Sequence, residues 1–252
     1  TTATARVDAA FTWSKNETHL IGFCAPTLLS QRARLAPTGT TTAFTPFFTI
    51  SGNGCIFQNI AWFHGFNTGT TAMLNVVLTG SRNTFTNCHL AGMGDAASAQ
   101  DAGSRSLKIG SAGSGENLFL NCTIGLDTVT RTAANASVEF TAATTRNTFR
   151  GCVFPFQTSS ATVLGFIGTG TENMDRWQVF DNCVFINGIA SASTTMSALG
   201  TLAASSGGLL LFKQSVLVGI TEYGSDATTR ALCYVDGLTG AAATSGIAVS
   251  PT

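Results

Sequence analysis

The segments NTFTNCHLAG (83–92), NLFLNCTIG (117–125), NTFRGCVFPF (147–156) and QVFDNCVFING (178–188) are four versions of one unit, and their reading decides the fold. HLIGFCAP (19–26), CIFQNIAWF (55–63) and LLFKQSVLVG (210–219) extend the series. Placing Ile21, Phe57, Phe85, Phe119, Phe149, Phe180 and Phe212 in one column separates successive units by 28 to 36 residues. A period of that length marks a solenoid, in which each unit buries its apolar face only against its neighbours.

Within the unit, Phe119, Asn121 and Thr123 are expected on one face of a strand and Leu120, Cys122 and Ile124 on the other. Strict alternation must nevertheless break. Large apolar residues recur at an odd spacing of five, as in Phe85 to Leu90, Phe149 to Phe154 and Phe180 to Phe185. A bend therefore separates two short strands. Asn59, Asn87, Asn121 and Asn182 hold one position at this bend, with Gly151 and Gln214 as substitutes. Asn and Gly share a tolerance for left-handed backbone, and stacked Asn side chains can bond from coil to coil, so an asparagine ladder is expected at a turn. A second column, Asn83, Asn117 and Asn147, lies two residues before the Phe and marks the turn entering the strand.

Further β-rich runs precede the motifs, at 47–50, 73–80, 106–110, 137–142 and 163–170, so each coil supplies at least two strands. Thr, Val, Phe and Gly stand where a helical repeat would need Ala, Leu, Glu and Lys. The expected fold is all-β: a single-stranded, right-handed parallel β-helix of about seven coils over residues 19–219. Residues 1–18 are read as an opening strand or cap, and 220–252 as a C-terminal cap or docking tail. Insertions are expected at 91–103, 125–135 and 187–206.

Only 10% of residues are charged, and thirteen basic residues balance thirteen acidic ones, so no long-range field draws nucleic acid or an anionic membrane. No stretch is apolar enough for a membrane-spanning helix. The chain begins at Thr1 without a leader, as a processed protein or an excised part of a longer one would. Sequons at Asn16, Asn121 and Asn135 are expected by chance in so Thr- and Asn-rich a chain.

Five of the seven cysteines, Cys24, Cys88, Cys122, Cys152 and Cys183, share one column three residues after the aligned Phe or Ile. Side chains in register point in parallel and do not supply the disulfide torsion, and a row of thiols cannot surround zinc. Buried reduced thiols are expected, with synthesis in a cytoplasm-like compartment; Cys55 and Cys233 lie outside the column.

β-helices carry glycan lyases and glycosidases, whose chemistry needs two carboxylates as an acid and base pair. Glu172, Asp175 and Asp181 around Trp177 form the one cluster, which a surface turn with Arg176 explains equally well. Asp95 and Asp101 share a loop and suit turn formation. His19, His64 and His89 lack a matched nucleophile and are expected to be packed. Trp62, Phe63 and Phe66 could line a sugar face, but core is the default. No catalytic, cofactor-binding or metal residue is assigned, and no cofactor is expected.

The segment THLIGFCAPTLLSQRARLAP (18–37), leading into the N-x-F-x-N-C coils and the connectors RTAANASVEF (131–140) and ENMDRW (172–177), resembles β-helical virion proteins of tailed bacteriophages over nearly the whole chain. The resemblance implies a non-enzymatic structural role, as a capsid decoration, fibre or spike component made in the bacterial host cytoplasm and carried on the virion. Its implied partners are other capsid or tail proteins, further copies of the chain as a homo-oligomer, and a host surface glycan. It transfers no catalytic residue. The alternative is a tailspike-like carbohydrate-active enzyme, a glycan lyase or hydrolase.

Overall fold

The structure is a computed structural model that describes residues 4–23, 33–38, 45–65, 72–111, 114–188, 194–203, 206–236, 238–239 and 248–249. Successive coils add one strand to each of three sheets, up to Gly200–Leu202 in the second, and the pairings are parallel except that of Cys233–Val235 with Leu238–Thr239. Sheet A runs from Thr4–Val7 through Ala61–Phe63, His89–Ala91 and Val153–Thr158 to Ala248–Val249. Sheet B holds the β-rich runs that precede the motifs, from Phe11–Trp13 through Leu74–Leu78, Arg105–Ile109 and Ala136–Phe140 to Gly200–Leu202. Sheet C carries the aligned Phe residues, from His19–Ile21 through Thr84–Thr86, Leu118–Leu120 and Met174–Asp181 to Cys233–Val235. The fold is a parallel β-helix, and no helix among the described residues is long and apolar enough to cross a membrane.

The corner between sheets C and A explains the motif. Asn59, Asn87, Asn121, Gly151, Asn182 and Gln214 all have positive φ, between 48° and 62°. One left-handed residue turns the chain and reverses which face points inward, which is why Phe119, Cys122 and Ile124 are all buried. This corrects the alternation expected from the sequence, which put Phe119 and Cys122 on opposite faces. At Gly151 a Cβ would meet Asn121 Oδ1 at 2.5 Å, so a side chain there would have to displace the Asn121 amide. Side-chain bonds in this ladder are partial: Asn87 Nδ2 reaches Asn59 Oδ1 at 3.4 Å, whereas the backbone does the regular work, with Asn87 N donating to Leu120 O and Asn121 N to Arg150 O.

Inside, the column from Phe57 to Phe212 is a continuous stack with ring centroids 4.6 to 5.0 Å apart and planes within 16° of parallel. That separation matches the spacing of neighbouring strands, so ring stacking and strand pairing reinforce one another. Trp13 meets Phe57 edge-on at one end, and Tyr223 lies tilted over Phe212 at 4.8 Å at the other. The column continues upward through Leu20, which pairs with Phe57, and not through Ile21, which is 54% exposed. A slip of one residue moves a strand's whole apolar set to the other face, so burial fixes the register that the short motif HLIGF left open.

The cysteine column stacks as free buried thiols. Cys88, Cys122, Cys152 and Cys183 donate to the carbonyls of Phe57, Phe85, Phe119 and Phe149, one coil away, at 3.3 to 3.4 Å. Ser215 makes the same bond to Phe180 O at 3.1 Å, whereas Ile60 fills the equivalent position in an earlier coil with an apolar side chain. Cys24 lies outside the described residues. Cys55 and Cys233 are also buried and free.

The second asparagine column is internal. Asn83, Asn117 and Asn147 are buried and continue into Gln178. Asn83 N donates to Asn117 Oδ1 at 2.9 Å, Asn117 N to Asn147 Oδ1 at 3.1 Å, and Asn147 N to Gln178 Oε1 at 3.3 Å. The amide nitrogens reach back to backbone carbonyls, Asn83 Nδ2 to Gly52 O and Asn117 Nδ2 to Gly80 O. These side chains stand in for the ladder hydrogen bonds that the corner between sheets B and C interrupts. Two of the expected insertions prove structural: Leu126–Arg131 forms a strand beside Val153–Thr158, and Gly200–Leu202 is a rung of sheet B.

Asn117→Ala leaves the Asn83 amide and the Gly80 carbonyl unpaired in the core. At about 1–3 kcal/mol for each group, it is expected to lower the urea midpoint markedly, whereas Ile21→Thr, on an exposed side chain, leaves it within experimental error.

Candidate functional site

The outer face of sheet C and the corner by which the chain enters it gather charged and aromatic side chains along the axis. Arg82 Nε lies 2.8 Å from Glu116 Oε2, and Arg146 Nη1 lies 3.4 Å from Glu116 Oε1. The Arg146 guanidinium stands over the Trp177 ring, 5.4 Å from its centroid, and Trp177 is 41% exposed. The hydrogen bond and charge of Arg82 hold the Glu116 carboxyl below its usual range. One column further along, Arg150 pairs with Asp181 at 3.0 Å, and Asp181 lies in register with Lys213. Lys213 then borders an open groove of about 520 Å³ lined by Leu211, Gln214, Tyr234 and Asp236. Gln214 N donates to Asp236 Oδ1 at 2.7 Å, which ties the groove's two walls.

Of the cluster proposed from sequence, Asp181 is committed to Arg150, and Asp175 lies 3.3 Å from Arg176 on the exposed surface. Asp175 and Asp181 fall on the same long strand, Met174–Asp181, whereas Glu172 precedes it. Asp95 caps the helix Ala96–Ala99, accepting from Ala97 N and Ser98 N at 2.9 Å, and Asp101 accepts from Gly103 N at 2.7 Å. Both carry out the turn role expected of them.

The histidines separate by burial. His19 is exposed, and its Nδ1 accepts from Ile56 N at 3.1 Å. His64 packs on Phe47 at 5.5 Å, and His89 Nε2 lies 2.9 Å from Gly125 O. Burial pushes both imidazoles down to about 4. Trp62 is fully buried against Phe57 and Phe85, as the core reading expects. Phe63 is half-buried under the Arg34 guanidinium, and Phe66 lies outside the described residues.

The sequence reading missed a buried cationic knot on the loop side of sheet B. Arg131 is completely buried; Nε donates to Asn135 Oδ1 at 2.6 Å, Nη1 to Ser137 Oγ at 3.1 Å, and Nη2 to the carbonyls of Asn135 and Leu164. Its guanidinium also lies over the Phe156 ring at 5.4 Å. Burial, with Arg105 nearby, lowers its pKa to about 9. Arg105 bonds Glu139 at 2.9 Å, and Glu139 also takes Lys108 at 3.1 Å and the Thr169 hydroxyl. The repeat alignment gave no signal for this knot, because its members lie outside the aligned Phe motif, Arg105 and Lys108 on the strand Arg105–Ile109 and Ser137 and Glu139 on Ala136–Phe140. Among the described residues no group of three or more His, Cys, Asp or Glu is placed to hold a metal ion.

No family profile matches this sequence, and no curated protein does. Among solved structures, the chain is similar to a pectin methylesterase crystallised with a hexasaccharide, at a TM-score of 0.58 and 15% identity. The match covers 98% of this chain and 82% of that one. At that identity the likeness carries the parallel β-helix and nothing finer.

The depressed histidines set a pH dependence. Below about pH 6.5 the unfolded chain protonates His64 and His89 while the folded chain does not until about pH 4, so stability falls as pH falls through that window. Thermal unfolding at pH 4.5 is expected at least about 5 °C below that at pH 7, and His64→Phe with His89→Gln should shrink the difference. Arg131→Met keeps the bulk but leaves two carbonyls and Asn135 without donors, and is expected to unfold at lower urea than the parent.

Proposed function

We propose that this chain is a structural rod of a tailed-bacteriophage particle, a capsid decoration or fibre component that stabilises the particle or presents loops to the host surface. The observation that carries the reading is where the chain spends its polar chemistry. Its buried amides and thiols form axial ladders, and Asp95, Asp101, Asp175 and Asp181 serve as ion-pair partners, helix caps and turn formers. A molecule organised this way resists unfolding and protease attack without a disulfide or a metal among its described residues. Its surface, with equal numbers of acidic and basic residues, suits contact with protein and glycan more than with nucleic acid.

A second reading has its own support. The outer face of sheet C offers Trp177, Tyr234, paired charges and an open groove, a composition that saccharides bind, and the similar solved structure is a pectin methylesterase holding a hexasaccharide. Under this reading the chain acts on or adheres to a bacterial surface glycan through that face.

Electron microscopy of particles from a producing culture, with symmetry analysis, tests the first reading: β-helical density of this size is expected at regular lattice positions on head or tail. A free chain that shortens or de-esterifies a surface polysaccharide overturns it. For the second reading, Trp177→Ala is expected to weaken glycan binding by at least about tenfold, since one aromatic contact contributes on the order of 1–2 kcal/mol. Unchanged binding removes that face from consideration.

A further inference from the structure

The groove beside Lys213 is built from two rungs of sheet C. Cys233–Val235 pairs in parallel with Leu209–Lys213, bringing Leu211 opposite Tyr234 and Phe212 opposite Val235. Phe212 and Val235 are buried in the core, so their neighbours turn outward: Leu211 and Lys213 on one rung, Tyr234 on the next, with Asp236 exposed at its end. These residues, with Gln214, line the space of about 520 Å³. Leu211 and Tyr234 are half-buried and form an apolar step. Two residues further along each rung, about 6–7 Å away, stand the charges of Lys213 and Asp236.

The ion pairs of the sheet single this place out. Its strands carry the cations Arg146, Arg150, Arg176 and Lys213. Arg146 lies 3.4 Å from Glu116, Arg150 3.0 Å from Asp181 and Arg176 3.3 Å from Asp175. Lys213 alone has no ion-pair partner among the described residues, since Asp181, its neighbour in register, is committed to Arg150. Asp236 is half committed: its Oδ1 accepts from Gln214 N at 2.7 Å, which fixes the carboxylate and leaves Oδ2 as an acceptor. The groove thus combines an ammonium that only donates, a carboxylate that only accepts and an apolar step beside them. Hydroxyls that donate and accept, carried on a ring with a C–H face, match that set. The two formal charges cancel. An acid group on the ring would meet Asp236, and Asp181 one rung behind, so what it gains at Lys213 it loses there.

We infer that this groove seats one uncharged pyranose ring of a glycan lying along sheet C. The ring rests on Leu211 and Tyr234, its hydroxyls lie between Lys213 and Asp236, and Asp236 turns acidic sugars away. This rests on the glycan-binding reading above, and adds to it the class of sugar and the residues that select it.

Titration calorimetry of the full 252-residue chain tests it, with two panels of bacterial surface oligosaccharides as probes, one of neutral hexoses and one bearing uronates. The expected result is binding of a neutral oligosaccharide that salt does not weaken. Tyr234→Ala lowers that affinity by at least about tenfold. Asp236→Asn, which keeps an oxygen for Gln214 N, narrows the preference for neutral over uronate sugars by a similar factor of about ten. Circular dichroism establishes that each variant is folded; if Tyr234→Ala is not, the change of preference in Asp236→Asn decides. A parent chain that prefers uronates, or whose binding salt weakens, overturns the inference. Neutral binding that Trp177→Ala abolishes and both groove variants leave intact also overturns it, while the glycan reading stands. Binding to neither panel removes the glycan reading, and the inference with it.

Discussion

Everything in this molecule depends on one backbone constraint: a single left-handed residue at the corner between sheets C and A, repeated in six successive coils from Asn59 to Gln214. An L-residue other than Asn or Gly resists that conformation by about 1–2 kcal/mol, so the corner is written into the sequence as Asn59, Asn87, Asn121, Gly151 and Asn182. Because the corner uses one residue, the strands on either side keep a fixed phase, and the inward Phe of one and the inward Leu or Phe of the next arrive five positions apart. The cysteine follows from the same geometry. The residue after the corner points inward beside the carbonyl of a Phe one coil away, to which Cys122 and Ser215 donate.

This constraint also explains what was legible in the sequence. The repeat, the Phe and Asn columns and the burial of the thiols follow from side chains that occupy equivalent positions in every coil, and such positions leave a periodic trace. Ile21 misled because HLIGF has no Asn corner to anchor its phase, and only burial of Leu20 against Phe57 fixes the register. Asn83, Asn117 and Asn147 were read as turn markers; nothing in their spacing distinguishes an exposed turn former from a buried amide that completes a broken ladder.

The surface was harder to read than the core. Arg131, Asn135, Ser137 and Leu164 converge through connectors of unequal length, and the Arg146 to Trp177 contact crosses two coils at a bulge in the ladder. Neither arrangement repeats, so neither leaves a period. The carboxylates around Trp177 were visible as a cluster in one dimension, yet Asp175 and Asp181 stand in separate ion pairs. Function in a solenoid is written in the residues that depart from the repeat, and those are the ones that sequence periodicity does not locate.

The internal amide ladder has a mechanical consequence. Its bonds, like those of the strands, lie along the long axis, so tension on the two ends loads every rung in series, and the weakest one gives way first. Force applied across the rod is instead shared by all rungs in parallel, and must deform covalent backbone and close-packed rings together. The molecule therefore yields first at its weakest rung when it is pulled along the axis, and resists compression across the axis through covalent backbone and packed rings.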